Sequence, residues 1–247
     1  MRPRIVDLRV EEIAWVPLGP PGLYSRLLSR DVETGARTAL QRIVPDDGYT
    51  PPQTAHFHHT YEEIIGISGC FSFDSRRWVK PCTYVFHPPR TVHGFASAVR
   101  DESMFLSRVG RDLDFNFVEH PSHDDLYLVE GPPPSRGPGA LEDFESRDAD
   151  SSIQLLGGDV RARILSADPE TGEGSALVKV PAGWASQKET SAHYLELFVI
   201  EGAIGVDGGP EKAGLAYFSY PPDTEINCLS SESGALVYVN FGALLGT

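Results

Sequence analysis

Apolar residues fall along this chain in short runs broken by glycine, proline and small polar residues, a pattern that predicts β-strands joined by tight turns. In the first half the strands are expected at 39–44, 62–67, 71–74, 83–86 and 103–109. In the second they are expected at 176–180, 196–200, 203–206, 215–220 and 235–241. Helix is scarce, and only Gly139 to Phe144 suggests a single turn. Side chains alternate between the faces of a strand. Glu62 should therefore share an inward face with Ile64 and Gly66, and Glu63 should point away, to solvent or to the other half of the molecule.

The second half repeats the first. Leu28-Ser29-Arg30-Asp31-Val32-Glu33-Thr34-Gly35 aligns with Leu165-Ser166-Ala167-Asp168-Pro169-Glu170-Thr171-Gly172. Further on, Gly69 pairs with Gly202, Tyr84 with Tyr217, Pro88-Pro89 with Pro221-Pro222 and Thr91 with Thr224, all at one offset. A constant offset over separate anchors indicates two copies of one supersecondary unit. The stretch between them is polar and acidic and holds Gly131-Pro132-Pro133-Pro134 and Gly137-Pro138-Gly139, a proline density that favours extended backbone. The expected organisation is thus an N-terminal unit over residues 1–120, a linker draped over the surface at 121–150, and a C-terminal unit over 151–247.

Charge and composition narrow the function. A formal charge of -14 lacks the basic footprint that phosphate binding needs, so nucleic acid is excluded as a partner. No apolar run approaches the length of a membrane helix, the N-terminus lacks the apolar core of a signal peptide, and the cytoplasm is the default location. Cys70, Cys82 and Cys228 are odd in number and lack metal-type spacing, so they are expected to be reduced, packed thiols.

The chemistry gathers in the first half. His56 and His58 stand at i and i+2, which points both rings to one face of a strand. Glu62 follows across a short turn, Gly69 closes that strand, and His93 follows the double-proline turn Pro88-Pro89. The motifs H-x-H-x3-E-x6-G and P-x-[GR]-x2-H resemble the two cupin motifs, and the chain is similar to a bicupin of the ChrR type and to the small cupin dioxygenases. Arg90 stands where the family usually has glycine, and the asparagine often found after the last histidine is missing.

The resemblance implies an all-β fold of two cupin barrels, each a double-stranded β-helix or jelly roll, in tandem. It also implies one divalent metal ion per chain on His56, His58, Glu62 and His93, with Fe(II) favoured and Zn, Mn, Ni or Cu able to use the same donors. In the repeat register these positions become Glu189, Ser191, Leu195 and Ile226, so the second barrel should hold no such site and should serve a structural or dimerising role, with a homodimer allowed. Around the metal, Arg90 is the candidate partner for a substrate carboxylate or enolate and Tyr61 a candidate hydrogen-bond donor to bound oxygen. Phe95, Phe86 and Trp78 are candidates for the lining of a pocket for a small-molecule substrate. The activity this implies is oxygenation of a small enolisable or aromatic molecule. The alternatives are a non-catalytic small-molecule sensor and a metal-dependent isomerase or lyase.

Overall fold

A computed structural model describes residues 1–142 and 151–242. The chain divides into two compact units, one of Ala14–Arg147 and the other of Met1–Ile13 with Asp148–Thr247. Each is built almost wholly from antiparallel strands, as the β-branched and aromatic runs between turn residues dictate. In the first unit the main sheet runs in the order Gly139–Glu142, Tyr84–His87, Glu62–Ser68, Ser103–Val109, Arg37–Ile43, Leu23–Arg30 and Val16–Pro17. The second unit repeats that order with Ile5–Arg9, Ala216–Tyr220, Leu195–Val206, Ala235–Phe241, Gly174–Val180, Gly158–Ala167 and Ser151–Leu155. Short ladders complete each jelly roll.

The repeat offset is a physical register. Glu62 pairs with His87 as Leu195 pairs with Tyr220, and His56 bridges to His93 as Glu189 pairs with Ile226. Gly69 and Gly202 both take positive φ, and a Cβ on either would lie 2.2 or 2.1 Å from a backbone oxygen, which explains why glycine closes both strands. At two of the four positions that correspond to the expected metal donors, those of Glu62 and His93, the second unit holds Leu195 and Ile226, both within its apolar core. Each such side chain contributes roughly 1.5–3 kcal/mol through burial.

The unit boundaries differ from the sequence expectation. Residues 1–13, read there as the start of the N-terminal unit, supply the Ile5–Arg9 strand that pairs with Ala216–Tyr220 of the C-terminal half. The stretch read as a draping linker is built into the first unit. Tyr127–Leu128 pairs with Thr91–Val92, and Gly139–Glu142 is a strand against Tyr84–His87 rather than a helical turn, with 143–144 outside the described residues. The two straps are equivalent: Ile5 faces Ser219 and Gly139 faces Phe86, positions related by the repeat. Each strap carries an arginine three residues before that point. Arg136 lies 2.7 Å from buried Glu63, and Arg2 lies 3.1 Å from buried Glu196. Tyr84 and Tyr217 donate hydroxyl hydrogen bonds to the same two carboxylates. Glu63 does face away from Glu62, but into an ion-pair cluster with Arg108 and Arg136 and not into solvent, because the strap covers that side of the sheet.

Candidate metal centre

The donor cluster is assembled by three local structures. The His56–Phe57 strand bonds to His93 in both directions, His56 N to His93 O and His93 N to His56 O, each 2.9 Å, which brings two sequence-distant imidazoles side by side. His58 follows on the same face, and the three ring centroids lie 4.5, 5.2 and 5.1 Å apart. Gly94 has φ +76°, and a Cβ there would stand 2.7 Å from His56 Cε1, so the residue after His93 has to be glycine for the two rings to meet. Glu62, at the start of the Glu62–Ser68 strand, reaches in with Oε2 3.4 Å from His93 Nε2.

Hydrogen bonding fixes which nitrogens are free. Nδ1–H of His56 donates to Thr54 O at 3.0 Å, that of His93 to Thr91 O at 2.9 Å, and that of His58 to Asp114 O. With Nδ1 so held, Nε2 is the nitrogen each ring leaves for a metal, the arrangement that metal-binding histidines adopt when a carbonyl holds the second nitrogen. The ligating atoms of His56, His58 and His93 all lie within 4.8 Å of one another. Donors about 2.0–2.2 Å from one ion sit at most about 4.4 Å apart, so a contraction of the cluster closes the set.

Electrostatics agree. Burial, then the neighbouring His93, pushes His56 down to about 4, and burial lowers His58 although Glu62 and the Asp114 carbonyl oppose it. Burial alone would raise Glu62, but contacts with His87 and His93 and the charge of His93 and His58 hold it well below the usual carboxylate range. Near neutral pH the site offers neutral His56 and His58 rings and an ionised carboxylate, the protonation state a divalent ion requires.

One member of the cluster escaped sequence reading. His87 is 3% exposed, pairs across the sheet with Glu62, stacks on His93 at 4.3 Å between centroids, and forms a second donor group with Glu62 and His93. It lies just before the double-proline turn without a partner at i±2, so only the strand register reveals it. Burial, then His93, lowers it to about 4.

The other expected site residues divide. Phe95 lines a small cleft with His87, Phe73, Asp74, Arg77 and Leu126. Phe86 and Tyr61 lie on the far face: their rings meet at 5.9 Å, Arg136 covers Phe86 and Arg108 covers Tyr61. Strand parity explains this, since both are odd steps from the inward Glu62 and His87. Trp78 lies beneath the Arg100 guanidinium. Arg90 takes φ +69°, the reason glycine suits its position, and its guanidinium donates to Pro132 O at 3.0 Å rather than joining the donors. Phe115 and Phe117 were not foreseen. They are 58% and 65% exposed, stack on each other, and lie 4.9 Å from the His58 ring and 6.1 Å from the His56 ring, respectively. The alternation Phe115-Asn116-Phe117 was their only sequence signal. Among the described residues, groups of three or more metal donors occur only in this unit, and no helix is long and apolar enough to cross a membrane.

The family model of the ChrR cupin-like domain matches residues 5–111 and 146–245. No curated protein matches the sequence. Among solved structures, one from Nostoc punctiforme provisionally described as a dioxygenase aligns with TM-score 0.66 at 16% identity, over 100% of this chain and 84% of that one. A variant of salicylate 1,2-dioxygenase from Pseudoaminobacter salicylatoxidans aligns with TM-score 0.54 at 12% identity, over 83% and 71%. The formate complex of oxalate decarboxylase from Lactobacillus farciminis aligns with TM-score 0.54 at 10% identity, over 98% and 87%. At these identities the likeness is one of fold.

Proposed function

We propose that this chain, which belongs to the ChrR cupin-like family, holds one Fe(II) on His56, His58, Glu62 and His93 and oxygenates a small enolisable or aromatic molecule. The observation that carries the proposal is the pairing of a carbonyl-anchored three-histidine cluster with an exposed aromatic pair, Phe115 and Phe117, at its solvent side. Fe(II), when bound, supplies a redox-active Lewis acid with coordination positions left for substrate and oxygen.

The chain's own residues do the rest. Phe115 meets His58 edge-on, at 87° between ring planes, and offers a flat apolar surface to a planar substrate. Phe73, at 6.3 Å from the His93 ring, and Phe95 limit water on the inner side. Asp114 positions the His58 ring through its carbonyl and fixes the chain after it through His59 N, 2.9 Å from Asp114 Oδ1. The dioxygenases among the structures of like fold support oxygen chemistry over passive binding. A cytoplasmic setting suits the three free thiols.

The test is an oxygen electrode screen of iron-loaded protein against β-diketones, hydroxylated aromatic ketones and catechols, with His93→Ala as the blank. Substrate-dependent oxygen uptake that His93→Ala abolishes is the expected result. Thermal stabilisation by these compounds without turnover in any metal form would establish a sensor instead. Non-oxidative product from the zinc or manganese form would establish an isomerase or lyase.

A further inference from the structure

We infer that His87 is a fifth protein ligand of the metal, binding through Nδ1. The inference rests on the metal centre proposed above and adds to it a residue that neither cupin motif contains. His87 lies next to the proline turn on the Tyr84–His87 strand, directly across from Glu62. Its Nδ1 is buried, makes no hydrogen bond, and stands 3.8 Å from Glu62 Oε2, beyond hydrogen-bond reach. A buried ring nitrogen with no partner has lost its hydration without compensation, and an ion at the neighbouring donors would satisfy it.

The arrangement distinguishes His87 from the other three histidines. Those present Nε2 because a carbonyl holds each Nδ1. At His87 no such anchor occupies Nδ1, which leaves that nitrogen facing the carboxylate. His93 belongs to both donor groups, His56-His58-His93 and Glu62-His87-His93, and on this inference one ion beside its ring draws the two groups together. With five protein donors an octahedral ion keeps one position for an exogenous ligand. A substrate that chelates through two oxygens then has to displace His87, the donor without a fixing hydrogen bond at Nδ1. One that binds through a single oxygen fills the remaining position, and oxygen beside it would require the same displacement.

The experiment is long-range proton–nitrogen NMR of the full chain labelled with 15N-histidine, without metal and after titration with zinc. His87 Nδ1 should carry no proton in the zinc form and should move to the shift of a metal-bound nitrogen, together with Nε2 of His56, His58 and His93. His87→Asn should remove that signal and weaken zinc at least tenfold in chelator competition. Zinc bound by the other donors while His87 Nδ1 keeps a proton or a free lone pair would overturn the fifth ligand and leave the four-donor centre standing. Absence of zinc binding by the wild-type chain would remove both. The wild-type spectrum decides the matter without the variant, so a folding defect in His87→Asn does not obscure it.

Discussion

Replacing Glu63 should damage stability and spare metal binding, whereas replacing its neighbour Glu62 should do the reverse. The Glu63 side chain has no exposed surface and lies 2.7 Å from Arg136 Nη2, 3.3 Å from Arg108 Nη1 and 2.5 Å from the Tyr84 hydroxyl. Both arginines are themselves buried, so their charges are poorly screened once the carboxylate is gone. Glu63→Gln keeps an acceptor for Tyr84 and removes only the charge. Breaking a buried ion pair from one side costs about 3–5 kcal/mol. For a chain of this size each kcal/mol moves Tm by roughly 2–4 °C, so the melt should fall by roughly 6–20 °C. Arg136→Met should recover part of the loss in the double variant, with a coupling energy above about 1 kcal/mol. In metal-free protein Glu62→Gln should cost less than Glu63→Gln, since the groups that face Glu62 are His87 and His93 rather than two buried arginines. Calorimetry of the metal-free variants measures the first effect and zinc competition with a chromophoric chelator the second. A Glu63→Gln protein within about 1 kcal/mol of wild type, or one that loses zinc as Glu62→Gln does, would refute the placement of the two carboxylates on opposite faces.

Two further outcomes follow from the site. Metal analysis of protein purified anaerobically should approach one ion per chain and fall to background in His56→Ala and His93→Ala, and two tightly bound ions per chain would contradict the apolar filling by Leu195 and Ile226. The metal-free protein should also lose stability on mild acidification. His56 and His87 titrate near 4 when folded against an ordinary 6.5, so the unfolded chain takes up protons first and folding weakens as pH drops from about 6.5 toward 4. Glu62, depressed when folded, adds a stabilising contribution present above its ordinary 4.5 and lost as pH falls below it. Urea midpoints at several pH values read this out, and a flat profile between pH 7 and 4.5 would show that the histidines are not held neutral by burial.

The sequence by itself determined the strands, the doubling and the four residues proposed as donors. Alternation placed Glu62 and Glu63 on opposite faces, and the constant offset between halves reappears as matched pairings, Glu62 with His87 and Leu195 with Tyr220. These are local or periodic properties, set by a two-residue pleat and by turn residues at fixed spacing. What the sequence could not give is what lies across from what. His87 has no spacing signal and enters the cluster only through its cross-strand register with Glu62. Arg136 sits in a proline-rich stretch that reads as linker, and its charge gains a role only because the following strand docks beside Tyr84–His87 and carries it to Glu63. The same holds for Arg2 and Glu196, separated along the chain by nearly the whole protein. Tyr61 and Phe86 were chemically suitable pocket residues, but the pleat turned both to the far face, under Arg108 and Arg136. Pairing partners and the covering of sheet faces are long-range outcomes of closing each barrel, and no stretch of sequence a few residues long encodes them.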